Sequence, residues 1–275
     1  MAIFNQGIRE ITFELFKSKQ SFKRRVFRIL FRFQFIRNFM RNHHDNKFKV
    51  PKILTNNDHL KLKESGFLVK ELNFSQSFMN EIKGLQFTED VSKKVFKNFD
   101  EVLNFKGTRA HARYVSKSCH TLSNEVLMLS QRPEIMDIVN SYLGPKAELR
   151  ESISWISISN VLSEKNFEFG FHMDIASWKW LNVFIYLSDV NELNGAHSCI
   201  EGTHEIRHFG SFLDRRLDMD RAINLYGPNR IKVFTGNIGT AIFEDTGNYH
   251  RAMPVKEDHR FILQLNYSNY SDFEL

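Results

Sequence analysis

Two cysteines in 275 residues, Cys119 and Cys199, are too few for a disulfide framework. They also lack the paired spacing of a zinc site, so they read as two reduced thiols of a cytosolic protein. No stretch reaches the ~18 consecutive apolar residues of a membrane-spanning helix. Met1 to Gly7 carry no basic stretch followed by an apolar one, so a secretory signal is not expected and a cytoplasmic location is. One segment lacks acid altogether: residues 17–41 contain nine Lys or Arg and no Asp or Glu. Of the chain's 38 basic and 32 acidic residues, 12 and 3 fall within residues 1–50, leaving that arm at +9 and the remainder at −3. The high net charge therefore belongs to the arm. A nucleic-acid enzyme needs positive charge around its active site as well, so nucleic acid is not the expected partner.

What is abundant is phenylalanine, with 27 residues, a type that favours strands and buries a large apolar area. Residues 20–42 run without Gly or Pro and predict a basic amphipathic helix. Arg24, Arg28 and Arg32 recur every four residues, while Phe22, Val26, Ile29, Leu30, Phe33, Ile36 and Met40 follow helical spacing on another face. Two fates are open to it. It packs on the domain, burying Phe22, Leu30 and Phe33 with its arginines in water, or residues 17–41 dock on an anionic membrane surface or a partner. The chain is divided into an arm, 1–50, and a domain, 51–275, with the polar residues 43–60 as linker.

Farther along, Gly66 to Val69 predicts a short strand, and Ser75 is an N-cap for a helix through about Lys83. Residues 121–143 predict a helix stopped by Gly144-Pro145. From about residue 147 the period becomes two. Leu181 to Leu187 sets Asn182, Phe184 and Tyr186 opposite Leu181, Val183, Ile185 and Leu187. Arg260 to Tyr267 alternates in the same way. A strand near 152–160 is expected to bulge at Trp155-Ile156. In a two-sheet sandwich the more polar face of such strands can line a ligand cavity.

His172-Met173-Asp174 places an imidazole and a carboxylate two residues apart, on one side of an extended strand. His250, on a later strand, can supply a third ligand. Two imidazoles and a carboxylate on one face of an octahedron leave room for a bidentate cosubstrate and oxygen, the non-haem iron(II) arrangement. Spacing alone is weak support, because a His-x-Asp is common by chance. Arg260, ten residues after His250, has the guanidinium fork that holds a carboxylate through two parallel hydrogen bonds.

The order of these residues resembles the phytanoyl-CoA dioxygenase family of iron(II)/2-oxoglutarate oxygenases. The resemblance runs from about Gly66 to Tyr267 and is strongest from 171 to 267. Phe171 to Asp174 (FHMD) is similar to the family's His-x-Asp. Residues 181–204 resemble its strand, Asp-Val, Asn-Gly and Pro-Gly-Ser-His run, and residues 239–254 resemble the segment with the distal His. Ser141 to Pro145 is similar to the segment before its first core strand. The resemblance implies a mostly β fold, a double-stranded β-helix (jelly-roll or cupin-like) core with flanking α-helices. It implies Fe(II) on His172, Asp174 and His250, with 2-oxoglutarate and O2 as cosubstrates. Arg260 falls where the family places its 2-oxoglutarate-binding Arg, and Asn182 is a weaker candidate for a second contact. Asp174 is a carboxylate that halide-transferring relatives lack, so hydroxylation is implied.

The departures lie outside the ligands. Glu201 stands for the family's Pro, Thr240 for an Asp after Gly239, and Met173 for a Gln; Met173 and Phe184 point away from an acyl-CoA substrate. The expected substrate is a small or lipid-linked metabolite. His204 reads as a turn-stabilising residue, and His197 and His208 as ordinary surface or packing residues. Two rivals remain: a catalytically silent jelly-roll protein that binds a ligand, and a nucleic-acid binder acting through residues 17–41.

Overall fold

The computed structural model describes residues 30, 33–50, 57–90, 92–105, 113–158, 170–174, 177–206 and 216–269. The first half alternates helices with short strands: α1 (Gln34–Lys47), α2 (Asn57–Ser65), β1 (Phe67–Glu71), α3 (Gln76–Lys83), β2 (Phe87–Glu89), β3 (Val95–Phe96), α4 (Phe99–Asn104), β4 (Arg113–Lys117), α5 (Cys119–Leu122), α6 (Asn124–Ser130) and α7 (Pro133–Leu143). The second half is mostly strands: β5 (Glu148–Ile158), β6 (Phe171–His172), β7 (Trp180–Tyr186), β8 (His197–Ile200), β9 (Arg216–Leu217), α8 (Met219–Tyr226), β10 (Ile231–Phe234), β11 (Thr240–Glu244), β12 (His250–Ala252) and β13 (His259–Ser268).

The strands form two antiparallel sheets, a larger one ordered β1-β11-β7-β13-β5-β4-β2-β3 and a smaller one ordered β10-β8-β12-β6-β9. This is a jelly roll with flanking helices. Period two explains the layering. Leu181, Val183 and Ile185 of β7 and Leu187 just after it, with Phe261, Leu263 and Leu265 of β13, pack outward against Phe78, Ile82, Val126, Ile135 and Val139 of the helices. The alternate residues Phe184, Tyr186 and Ile262 face the other way, towards Ala196, Cys199 and Phe234 of the smaller sheet. Because both faces of β7 are covered, all seven of its residues are buried.

Several local expectations differ from the structure. The helix expected over 121–143 is divided among the end of α5, α6 and α7: Ser123 caps α6, and Pro133 cannot extend the hydrogen-bond ladder of α6 and instead begins α7. Gly144 then ends α7 at φ +93°, where a side chain would collide with the Phe48 carbonyl. Ser75 caps α3 as its position predicts, accepting from the Phe78 N–H at 3.0 Å. No bulge occurs at Trp155-Ile156, which pair continuously with Ile262 and Phe261. The register shifts instead at Asn266/Tyr267, opposite Glu151 and Leu149, so Arg150 is the extra residue.

The basic segment departs furthest from its sequence pattern. Most of residues 20–33 lie outside the described residues. The described helix α1 extends past 42 to Lys47, into the stretch expected as linker, and α2 follows from Asn57. Its arginines do not face water. Arg37 and Arg41 are buried, while Phe35 and Phe39 are 71% and 69% exposed and Leu30 is 41% exposed. Arg37 donates to the Glu205 carbonyl at 2.9 Å. Arg41 meets Asp245 at 2.7 Å, and the Tyr142 hydroxyl donates to the same carboxylate at 2.6 Å. Burial alone would raise the Asp245 carboxyl. Arg41, His204 and the hydrogen bonds from Tyr142 and the Gly247 N–H outweigh it and bring it to about 2. No helix among the described residues is long and apolar enough to cross a membrane.

Asp245 ionises far below the ~3.9 of an unfolded aspartate, so it stabilises the fold above that value and the contribution is lost as pH falls through about 2. Arg41→Ala leaves this carboxylate buried without its cation. The expected cost is about 3–5 kcal/mol in urea unfolding at pH 7, with acid unfolding beginning at higher pH than in the wild type.

Candidate metal centre

The smaller sheet brings the three sequence-predicted ligands together. His250 opens β12 and lies directly opposite His172 of β6. In antiparallel strands such partners project to the same side, and the two rings lie 4.5 Å apart between centroids. Asp174 follows β6 and is fixed by its own N–H, which donates to the Thr246 carbonyl at 2.9 Å. Its Oδ2 is 3.6 Å from His250 Nε2. One ligand atom from each of His172, Asp174 and His250 lies within 4.8 Å of the others.

The surroundings prepare the imidazoles. His172 Nδ1 is 3.3 Å from the Gly170 carbonyl, and His250 Nδ1 is 3.1 Å from the Asn248 carbonyl. A carbonyl can only accept, so Nδ1–H donates in each ring and the lone pair is left on Nε2. Burial first, then the neighbouring His250, holds His172 down at about 3, which keeps its ring neutral. Two imidazoles and a carboxylate are a donor set for a divalent transition metal.

Arg260 lies on β13, opposite Ser157 of β5, and is 5% exposed. Its Nη1 donates to the Gly195 carbonyl at 2.6 Å, and Nη2 stands 3.4 Å from Ser157 Oγ. Its Nε is buried without a hydrogen-bond partner among the described residues. Burial lowers this guanidinium to about 10, so it remains a cation at neutral pH. A buried cation with an unused donor is fitted to an anionic ligand. Asn182 lies in the wall of the site, with Nδ2 donating to Thr246 Oγ1 at 2.8 Å and Oδ1 accepting from Asn266 at 2.7 Å. It therefore braces the residue whose carbonyl holds Asp174.

His204 is in a turn, away from the ligand group. Its ring joins the Lys63 carbonyl at 3.0 Å and Asn248 Oδ1 at 3.2 Å, and its N–H donates to Asn248 Oδ1 at 2.8 Å. His208 lies outside the described residues. His197 is neither a surface residue nor mere packing. It is buried between the sheets, with Nε2 2.5 Å from Glu244 Oε2 and its ring 5.7 Å from that of His250. A signal for this pair was in the sequence: the apolar run Ala241-Ile242-Phe243 leads straight into two acids, Glu244 and Asp245, and carboxylates carried into an apolar interior need buried partners.

Comparison with known proteins agrees with the architecture. No family model matches the chain, and no curated protein matches it in sequence. Solved structures do. The non-heme alpha ketoglutarate dependent epimerase SnoN from nogalamycin biosynthesis is 14% identical, with a TM-score of 0.55 over 79% of this chain and 85% of that one. EctD from S. alaskensis, solved with 2-oxoglutarate and 5-hydroxyectoine, is 18% identical, with a TM-score of 0.54 over 80% and 79%. HygX from Streptomyces hygroscopicus, solved with nickel and 2-oxoglutarate, is 12% identical, with a TM-score of 0.53 over 78% and 87%. The chain thus has the fold found in non-haem, 2-oxoglutarate-dependent enzymes.

If His204 serves the fold, His204→Ala strands the Asn248 and Lys63 acceptors and costs about 1–3 kcal/mol of stability. Metal affinity, measured by titration of the folded variant, is expected to stay within about two-fold of wild type, well below the 1.4 kcal/mol that a tenfold change represents.

Proposed function

We propose that this chain is an iron(II)- and 2-oxoglutarate-dependent oxygenase, similar to the phytanoyl-CoA dioxygenases, that hydroxylates a C–H bond of a small or lipid-linked metabolite. The observation that carries the reading is the convergence of His172, Asp174 and His250 in a fold that also buries Arg260 with an unused donor. Metal bonds of ~2.0–2.2 Å at right angles place neighbouring ligand atoms ~3 Å apart, so an ion would draw this group slightly inward. The opposite coordination face stays open. Iron(II) with 2-oxoglutarate supplies the oxidation: oxygen is reduced, 2-oxoglutarate is converted to succinate and CO2, and a substrate C–H becomes C–OH.

The chain's own part is to hold and to exclude. Arg260 would pair with the cosubstrate's distal carboxylate in a setting where little water competes. Asn182, the weaker candidate, would act mainly through Thr246. Phe184, Ile262 and Trp155 line the space between the sheets with apolar surface. Asp174 would be a ligand where halide-transferring relatives lack the carboxylate, which favours hydroxylation over halogen transfer.

The test is succinate release from 2-oxoglutarate by anaerobically reconstituted protein across a substrate panel, with a search for products carrying one added oxygen. Arg260→Ala should weaken 2-oxoglutarate binding by about 10–100-fold, the loss of one or two charge-assisted hydrogen bonds, with iron affinity nearly unchanged. Equal 2-oxoglutarate affinity in the two proteins would remove Arg260 from the site.

We further propose that the domain of residues 51–275 works at a cytoplasmic membrane face to which the arm brings it. With Arg37 and Arg41 buried, seven of the nine cations expected there remain for lipid: Lys17, Lys19, Lys23, Arg24, Arg25, Arg28 and Arg32. Each contributes ~1 kcal/mol near an anionic bilayer, and the exposed Phe35 and Phe39 can insert. Full-length protein should co-sediment with phosphatidylserine vesicles at low salt, release as salt rises, and bind at least several-fold less well as Phe35→Ser/Phe39→Ser. Protein that stays in the supernatant at low salt would contradict this.

A further inference from the structure

The buried pair of His197 and Glu244 has no part in the proposed metal set, yet it spans the space between the sheets beside it. His197 comes from β8 of the smaller sheet and Glu244 from β11 of the larger. The His197 N–H donates to the Tyr186 hydroxyl at 3.1 Å, and that hydroxyl donates to the Phe234 carbonyl at 2.7 Å. Phe184 lies 4.5 Å from the imidazole and Phe234 6.0 Å, measured between ring centroids. The ring is thus clamped on its faces and tied at Nε2 by Glu244. Its remaining polar atom, Nδ1, makes no hydrogen bond among the described residues.

The position of this free edge is informative. The His197 ring lies 5.7 Å from that of His250, and the carbonyl of Gly195, two residues before His197, accepts from Arg260 Nη1 at 2.6 Å. The pair therefore stands in the lane between the ligand group and the buried arginine, where a dicarboxylate held by both would pass. The pair satisfies Nε2 internally and leaves Nδ1 to bond a ligand.

We propose that His197, held by Glu244, is a cosubstrate-positioning residue whose Nδ1–H donates to an oxygen of 2-oxoglutarate lying between the metal ligands and Arg260. This rests on the oxygenase reading above. Glu244 acts through the ring: a carboxyl O–H donating to Nε2 leaves Nδ1 as the ring's N–H. An uncharged pair suits this buried, apolar setting better than two ions would. It also removes a negative charge that would repel a dicarboxylate.

The experiment is calorimetric titration of 2-oxoglutarate into manganese(II)-loaded protein under anaerobic conditions, with metal affinity and thermal unfolding measured alongside. His197→Leu fits its apolar neighbours and should bind 2-oxoglutarate about ten-fold more weakly, the order of one charge-assisted hydrogen bond, at unchanged metal affinity. Glu244→Leu should weaken it similarly by freeing the tautomer. Glu244→Gln, whose amide N–H can still donate to Nε2, should restore binding to within about two-fold, a rescue that a purely structural role would not require. In turnover the effect should appear in the KM for 2-oxoglutarate rather than in kcat. Wild-type affinity in His197→Leu, or in Glu244→Leu should the first variant not fold, overturns the proposal. Failure of the wild type itself to bind metal and 2-oxoglutarate overturns the oxygenase reading, so the two failures are told apart.

Discussion

The cross-strand pair His250–His172 is the contact on which the site depends. Each strand is very short, three residues for β12 and two for β6, and a slip of one residue would turn an imidazole out of the site. Neighbouring bonds prevent the slip. β12 also pairs with β8 through Cys199, Ser198 and His197, and the Thr246 carbonyl holds the Asp174 N–H. Thr246 is in turn held by Trp180 and Asn182 through its hydroxyl. Candidate ligands from two distant segments, His172 with Asp174 and His250, are thus fixed by backbone register and one braced turn, as a rigid scaffold would present a metal site.

The same turn links the site to the N-terminal helix. Asp245, between Glu244 and Thr246, accepts from Tyr142 and pairs with Arg41. Buried ion pairs contribute little net stability compared with apolar packing, but losing one partner is costly. The arrangement explains why α1 turns basic residues inward and Phe35 and Phe39 outward, the reverse of an ordinary amphipathic helix. Docking here is set by a specific acid in the domain rather than by apolar burial.

Much of this was legible in the sequence because it is local or periodic. Alternation in 181–187 and 260–267 gives strands and faces, and Ser75 gives a cap. His172, Asp174, His250 and Arg260 stand out by residue type and spacing, and the structure places the first three together. What was not legible is long-range pairing. Arg37 and Arg41 look like solvated charge until Asp245, some two hundred residues away, is known to face them. His197 looks ordinary because β8 is only four residues long, too short to show a period, and its partner Glu244 lies on the other sheet. Pro133 is visible in the sequence, but the apolar periodicity runs on either side of it and masks the break between α6 and α7.

The central claim is that His172, Asp174 and His250 hold an iron(II) that 2-oxoglutarate then chelates. Anaerobic addition of iron(II) and then 2-oxoglutarate, followed by visible absorption spectroscopy, tests it most directly. The account predicts one iron per chain and a metal-to-ligand charge-transfer band that appears only when both are present and is lost in His250→Ala. Protein that binds iron at this site but develops no band at saturating 2-oxoglutarate would contradict it.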